Sequence, residues 1–139
     1  MRHAFGKPEV LFADVYQNTF ITSVLDYGTF RCVFESGLVM NRRSWDESLW
    51  VYAPEKNVSL HFPWPYLKNY PTVVKINENE DSTMVNMDKT VVNNYEESYR
   101  NEWKHFYDCI CGKKVPLTCG EDARNDIQLA YDMMLKVKI

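Results

Sequence analysis

Residues 94–137, NYEESYRNEWKHFYDCICGKKVPLTCGEDARNDIQLAYDMMLKV, decide how the chain is read. Their spacing predicts two helices joined by a short Gly-to-Pro turn. Asn94 and Glu97 form an N-cap pair, because the amide oxygen and the carboxylate can satisfy exposed first-turn N–H groups. Tyr95, Tyr99, Trp103, Phe106, Tyr107 and Ile110 then recur at steps of three and four, an aromatic stripe on one face. Gly112 supplies a left-handed stop, and Pro116 keeps the helix from resuming. Thr118 and Glu121 match the S/T-x-x-E capping box. They open a second helix in which Ala123, Ile127, Ala130, Met134 and Val137 follow the same spacing.

Upstream the pattern changes from helical to extended. Residues 10–16, 19–26 and 30–34 are rich in Val, Ile, Phe, Tyr and Thr, with Tyr27-Gly28 turning the chain between the last two runs. Bulk at Leu11, Phe12, Val15 and Tyr16 falls on both faces, as in a sheet covered on both sides. Residues 41–47 are polar and read as a loop. Further strands are expected at 49–53, 58–62, 72–76 and 84–87, the last extending through 90–92. Three prolines exclude a central strand from residues 63–71, leaving a stiff loop studded with Trp64, Tyr66 and Tyr70. Before all of these, residues 1–5 read as the tail of a helix closed by Gly6 and Pro8.

Composition narrows the class. The chain has 139 residues, 45% hydrophobic and 25% charged, enough for one domain spanning residues 1–139. A net charge of −3 without a basic cluster larger than Arg42-Arg43 or Lys113-Lys114 argues against tracking along nucleic-acid phosphates. No apolar run reaches the ~20 residues that span a bilayer, so a cytoplasmic protein with no membrane partner is expected. Cys32, Cys109, Cys111 and Cys119 are expected as reduced, mostly buried thiols. The five glycines are too scattered for G-x-G-x-x-G or a P-loop, so no cofactor is expected to bind this chain alone.

Two runs carry a family resemblance. They are EWKHFYDCICGKKVPLTCGEDARNDIQLAYDMM (residues 102–134) and LHFPWPYLKNYPT (residues 60–72). Together they resemble the C-terminal domain of the glucose–fructose oxidoreductase/inositol dehydrogenase (Gfo/Idh/MocA) family. Gly112, Pro116, Thr118 and Gly120-Glu121-Asp122-Ala123 stand in the order found there. The resemblance implies a sheet domain whose intact enzyme passes hydride between NAD(P) and a sugar or polyol. Arg2-His3-Ala4-Phe5-Gly6-Lys7-Pro8 resembles the closing turn of the helix that carries the family's catalytic Asp-x-x-x-His. That pair, and the Glu-Lys-Pro motif with the catalytic lysine, would then lie upstream of Met1, and His3 is not the catalytic histidine. No catalytic residue is expected in this chain, and NAD(P) is expected only with a missing N-terminal Rossmann domain, which a separate chain could supply.

The expected fold is α+β: a single large, mostly antiparallel sheet with two C-terminal helices packed on one face. Seven strands at ~4.8 Å make a sheet roughly 30 Å wide, and two helices of ~10 Å cover only part of it. The open face is expected to mediate oligomerisation, most simply as a homodimer.

Substrate contacts, on the resemblance, would come from loops near the nucleotide domain. Arg42, Arg43 and Trp45 are candidates, since Arg suits bidentate acceptors and Trp stacks on a sugar face. Trp64 and Tyr66 are candidates for the same platform role, against a solvated loop or a structural clamp as the plainer readings. His105 and Cys109 are one helical turn apart, but Cys111 points elsewhere, so packing is expected there and no metal. His61 reads as a surface or interface residue. Asp14, Asp26 and Glu35 are strand carboxylates whose pairing depends on the fold. An enzymatically inert, oligomeric ligand-binding or scaffold module is the alternative reading of the whole chain.

Overall fold

The computed structural model describes residues 2–38, 45–80, 85–92 and 95–137. It is an α+β protein with antiparallel sheets, as expected. The elements are α1 (Arg2–Phe5), β1 (Glu9–Tyr16), β2 (Phe20–Asp26), β3 (Arg31–Gly37), β4 (Glu47–Tyr52), β5 (Lys56–Phe62), β6 (Val73–Glu80), β7 (Val85–Val92), α2 (Ser98–Ile110) and α3 (Gly120–Lys136). Among the described residues the strands do not form the single sheet expected. They form a three-stranded sheet, β1-β2-β3, and a four-stranded sheet, β4-β5-β6-β7. Every ladder is a hairpin between consecutive strands, and among the described residues no ladder joins β3 to β4.

Two compact units result: residues 1–42 with 117–139, and residues 43–116. In the first, α3 packs on β1, and Val137 bridges in parallel to Ala13. Register explains which side is covered. Val10, Leu25 and Cys32 form one cross-strand row, and Ala13, Ser23 and Phe34 form another. An irregularity between Val10 and Phe12 puts Val10 and Ala13 on the same face, although three positions separate them. Leu25 is fully buried, and Val10, Ala13, Leu129 and Met133 complete the core. The other face presents Phe12, Val24 and Val33 in one row and Asp14, Thr22 and Glu35 in the next.

The buried stripe of α3 differs from the expected one. Leu129 and Met133 are buried with Val137 beside them, whereas Ile127 and Met134 are exposed. Apolar residues occupy more than one side of this helix, so spacing alone does not choose the face; the narrow contact with β1 does. The cap also differs: Cys119 is the N-cap residue, one position after Thr118, and no side chain caps it.

In the second unit, Leu49, Leu60, Val74 and Val91 lie in one cross-strand row, followed on the same face by Val51, Val58 and Ile76. None of these is buried. The opposite face carries Trp50 and His61, their rings edge to face at 5.4 Å, around the buried Ser59. α2 starts at Ser98 with Glu97 as its N-cap residue; Asn94 lies outside the described residues. Gly112 adopts φ +69 after the last turn, the left-handed stop read from the sequence. The aromatic stripe of α2 is not a buried face: Tyr99, Trp103, Phe106, Tyr107 and Ile110 are all exposed. α2 belongs to one unit and α3 to the other. No helix among the described residues is long and apolar enough to cross a membrane.

Candidate functional site

An enclosure in the second unit is built where β4 begins and β5 ends. Glu47 and Phe62 are register partners, so the chain leaving Phe62 starts beside the Glu47 side chain. Residues 63–71 then fold into a short wall. Leu67 N–H donates to the Trp64 carbonyl at 2.9 Å, closing a turn with Pro65 at its first corner, where the ring's fixed φ is already correct. Asn69 takes φ +56, a left-handed conformation that asparagine tolerates better than most residues. The start of α2 completes the enclosure with Glu96, Glu97, Ser98 and Asn101. The cavity measures about 290 Å³, just below the range typical of small-molecule sites.

Its walls are of two kinds. Phe62, Trp64 and Tyr70, with the prolines between them, supply flat apolar surface. Glu47, Glu96, Glu97, Asn69, Ser98 and Asn101 supply acceptors and a few donors, and no Lys or Arg lines the cavity among the described residues. Two of the carboxylates have partners. Trp45 Nε1–H donates to Glu47 Oε2 at 3.2 Å, and Lys104 Nζ stands 3.5 Å from Glu96 Oε1. Aromatic faces beside hydrogen-bonding side chains suit a small polyhydroxylated or amine ligand, whose C–H edges stack while its polar groups find acceptors.

The expected site residues separate. Trp64 lines the cavity, and Trp45 reaches its edge through Glu47. Tyr66 does not line it; it is 76% exposed and stacks on Tyr99 of α2 at 6.3 Å. That contact favours the clamp reading of Tyr66, because it ties the loop to the helix. Arg42 and Arg43 lie outside the described residues. Glu47, Glu96 and Glu97 carry no site signal in the sequence: Glu47 ends a polar run, Glu97 looks like a cap partner, and only the fold brings them together.

The other candidates resolve simply. Asp14 and Glu35 flank Thr22 across two strand spacings, roughly 9.6 Å, too far for a shared-proton pair. Asp26 instead accepts from Gly28 N–H at 2.7 Å and faces Arg31 at 3.5 Å. His105 Nε2 lies 3.5 Å from Cys109 Sγ, and no group of three or more metal-ligating side chains converges among the described residues. None of the four thiols is bridged, and Cys111 and Cys119 are exposed, not buried as expected. Both follow the last turn of a helix or precede a first one, where no strand packs over them.

Comparison with family models, with curated proteins and with solved structures finds no match for this chain.

Proposed function

We propose that the chain is the C-terminal, substrate-side domain of an NAD(P)-dependent sugar or polyol oxidoreductase resembling the Gfo/Idh/MocA family, inert without a nucleotide-binding partner domain. What carries this reading is the ordered set from Glu102 to Met134. The residues of that set fall on α2, on the left-handed Gly112, on the turn through Pro116, and on a new helix opening at Gly120-Glu121-Asp122-Ala123. The cavity beside Trp64 is the surface on which a sugar or polyol would be held, with its ring face on the indole and its hydroxyls on Glu47, Glu97 and Asn101. A cytoplasmic setting accords with four unbridged thiols.

Oligomerisation belongs to the same reading. The apolar row Leu49–Leu60–Val74–Val91 and its neighbours are only partly covered, and a second copy presenting the same face would cover them. This face also favours the alternative, an oligomeric binding or scaffold module without catalysis. Calorimetric titration separates the two. The chain alone should bind a neutral polyol weakly and NADH not at all; adding a Rossmann-domain chain should restore NADH-linked turnover under the first reading only. Tight NADH binding by the chain alone would overturn both.

A further inference from the structure

The charge around the Trp64 cavity is lopsided in a way that a neutral polyol does not explain. Three acidic residues, Glu47, Glu96 and Glu97, line about 290 Å³ of space at the start of β4 and just before α2. Among the described residues, two positive features oppose them. Lys104 pairs with Glu96, and the first turn of α2 contributes roughly half an elementary charge. Together these offset about half of the acidic charge, leaving the described residues of the enclosure net negative.

The rest of the wall is aromatic. Trp64, Tyr70 and Phe62 line the same space, and aromatic rings attract cations through their quadrupole, indole most strongly. Carboxylates alone would suit a hydrated metal ion. Rings and prolines do not, because they offer no oxygen ligands and favour an ion that carries its own apolar groups. A primary ammonium on a small carbon skeleton satisfies both sets of walls: the N–H groups go to carboxylate oxygens, and the adjoining C–H surface goes to the rings.

We infer that the Trp64 cavity selects a small ligand bearing a primary ammonium group on a hydroxylated ring, an amino sugar or amino-polyol rather than its neutral counterpart. This rests on the reading of the cavity as the ligand site and adds the charge of the ligand. Glu97 is the residue assigned to the ammonium, since Glu47 already accepts from Trp45 and Glu96 already faces Lys104.

The test is a matched pair of probes, glucosamine and glucose, titrated into the full chain by calorimetry at low and at high salt, with indole N–H chemical shifts followed by NMR. The expected result is glucosamine bound about tenfold more tightly than glucose, the preference shrinking at high salt and lost in Glu97→Gln. The Trp64 indole signal should move with both probes. Equal binding of the two sugars would overturn the ammonium assignment while leaving the cavity reading intact. Binding of neither, or binding that leaves the Trp64 signal in place, would overturn both. Because the probe pair is compared on the unaltered chain, a variant that fails to fold does not blunt the test.

Discussion

Arg2 and Asp126, 124 positions apart in sequence, meet at 2.7 Å between Nε and Oδ1. The same guanidinium pairs with the Asp122 carboxylate and donates to the Asp122 carbonyl at 2.9 Å. A single side chain thus fastens α1 to successive turns of α3. The pair of carboxylates holds the guanidinium charged, raising its pKa further above its ordinary value through the hydrogen bonds to Asp122 and then Asp126. Arg2 needs its fork to do this, since it engages two turns at once. Arg2→Ala is expected to lower Tm by a few degrees, and Arg2→Lys to recover only part of the loss. Differential scanning calorimetry of the three proteins checks it; a lysine variant as stable as the parent would show that charge alone suffices.

Among the described residues, Leu25 is the only large side chain with no exposure, and it sits between Val10 and Cys32 in the core with Leu129 and Met133 of α3. Leu25→Ala should therefore cost about 2–5 kcal/mol, the usual range for a leucine truncated in a packed core. The core it belongs to is small, so the loss should appear as early exchange of the β1–β3 amides as well as a lower denaturation midpoint. Unchanged hydrogen exchange in β2 would contradict the placement of this core.

These two contacts mark what the sequence does and does not disclose. The seven strands of the described residues are legible in position because their β-branched and aromatic runs end at Gly, Pro or polar turns, which are local signals; β6 alone runs well past its expected end at 76, through polar residues to Glu80. Gly112 and the start of α3 near Gly120 are legible for the same reason. The division into two sheets is not, because it depends on whether β3 and β4 pair, and nothing in Arg31–Gly37 or Glu47–Tyr52 encodes a neighbour. The face of α3 is ambiguous wherever Ile127 and Leu129 compete at equal hydrophobicity. Trp64 is legible as a platform residue from its proline-flanked loop. Glu97 is not, because its position beside the cavity follows from where α2 starts in space.

Gly37 has ordinary backbone but no room. A Cβ there would fall 2.3 Å from Phe20 Cδ2, 2.8 Å from the Thr19 carbonyl and 2.9 Å from the Phe20 Cα. The ring can move, but the two backbone atoms belong to the register partner and its neighbour. Gly37→Ala is expected to destabilise the first unit by about 1–3 kcal/mol, as overpacking does. The companion Phe20→Ala, made together with Gly37→Ala, should recover little of this, because the backbone contacts remain. Full recovery in urea denaturation would assign the clash to the ring alone.

Two groups in the first unit make its stability fall at alkaline pH. Burial pushes both the Tyr27 phenol and the Cys32 thiol above their ordinary values. The unfolded chain therefore loses these protons first as pH rises. Their contribution is whole below the unfolded values, about 8.5 for the thiol and about 10 for the phenol, and is lost as pH climbs through the folded ones. Tm should be flat from neutrality to about pH 8 and decline above it. Tyr27→Phe keeps the stack on Phe30, at 4.7 Å between ring centres, and removes the later part of the decline. An identical pH profile for that variant would exclude Tyr27 as a contributor.

The apolar row on the four-stranded sheet sets the strength of the proposed self-association. Four strands at ~4.8 Å, each about six residues of ~3.3 Å, give a face of roughly 20 by 20 Å, so two copies would bury about 800 Å². That is below the 1,200–2,000 Å² of stable complexes, which places the dimer in the weak, concentration-dependent class. Val74 is central: it pairs with Leu60 on one side and Val91 on the other. Val74→Lys would bring two ammonium groups together across a two-fold axis without any buried carboxylate opposite them. Sedimentation velocity from 5 to 500 micromolar (roughly the window a weak dimer requires) should show the parent moving from monomer to dimer and Val74→Lys remaining monomeric. A lysine on the polar face, at Thr90, should leave the transition where it was. If both variants dimerise as the parent does, the association uses another surface.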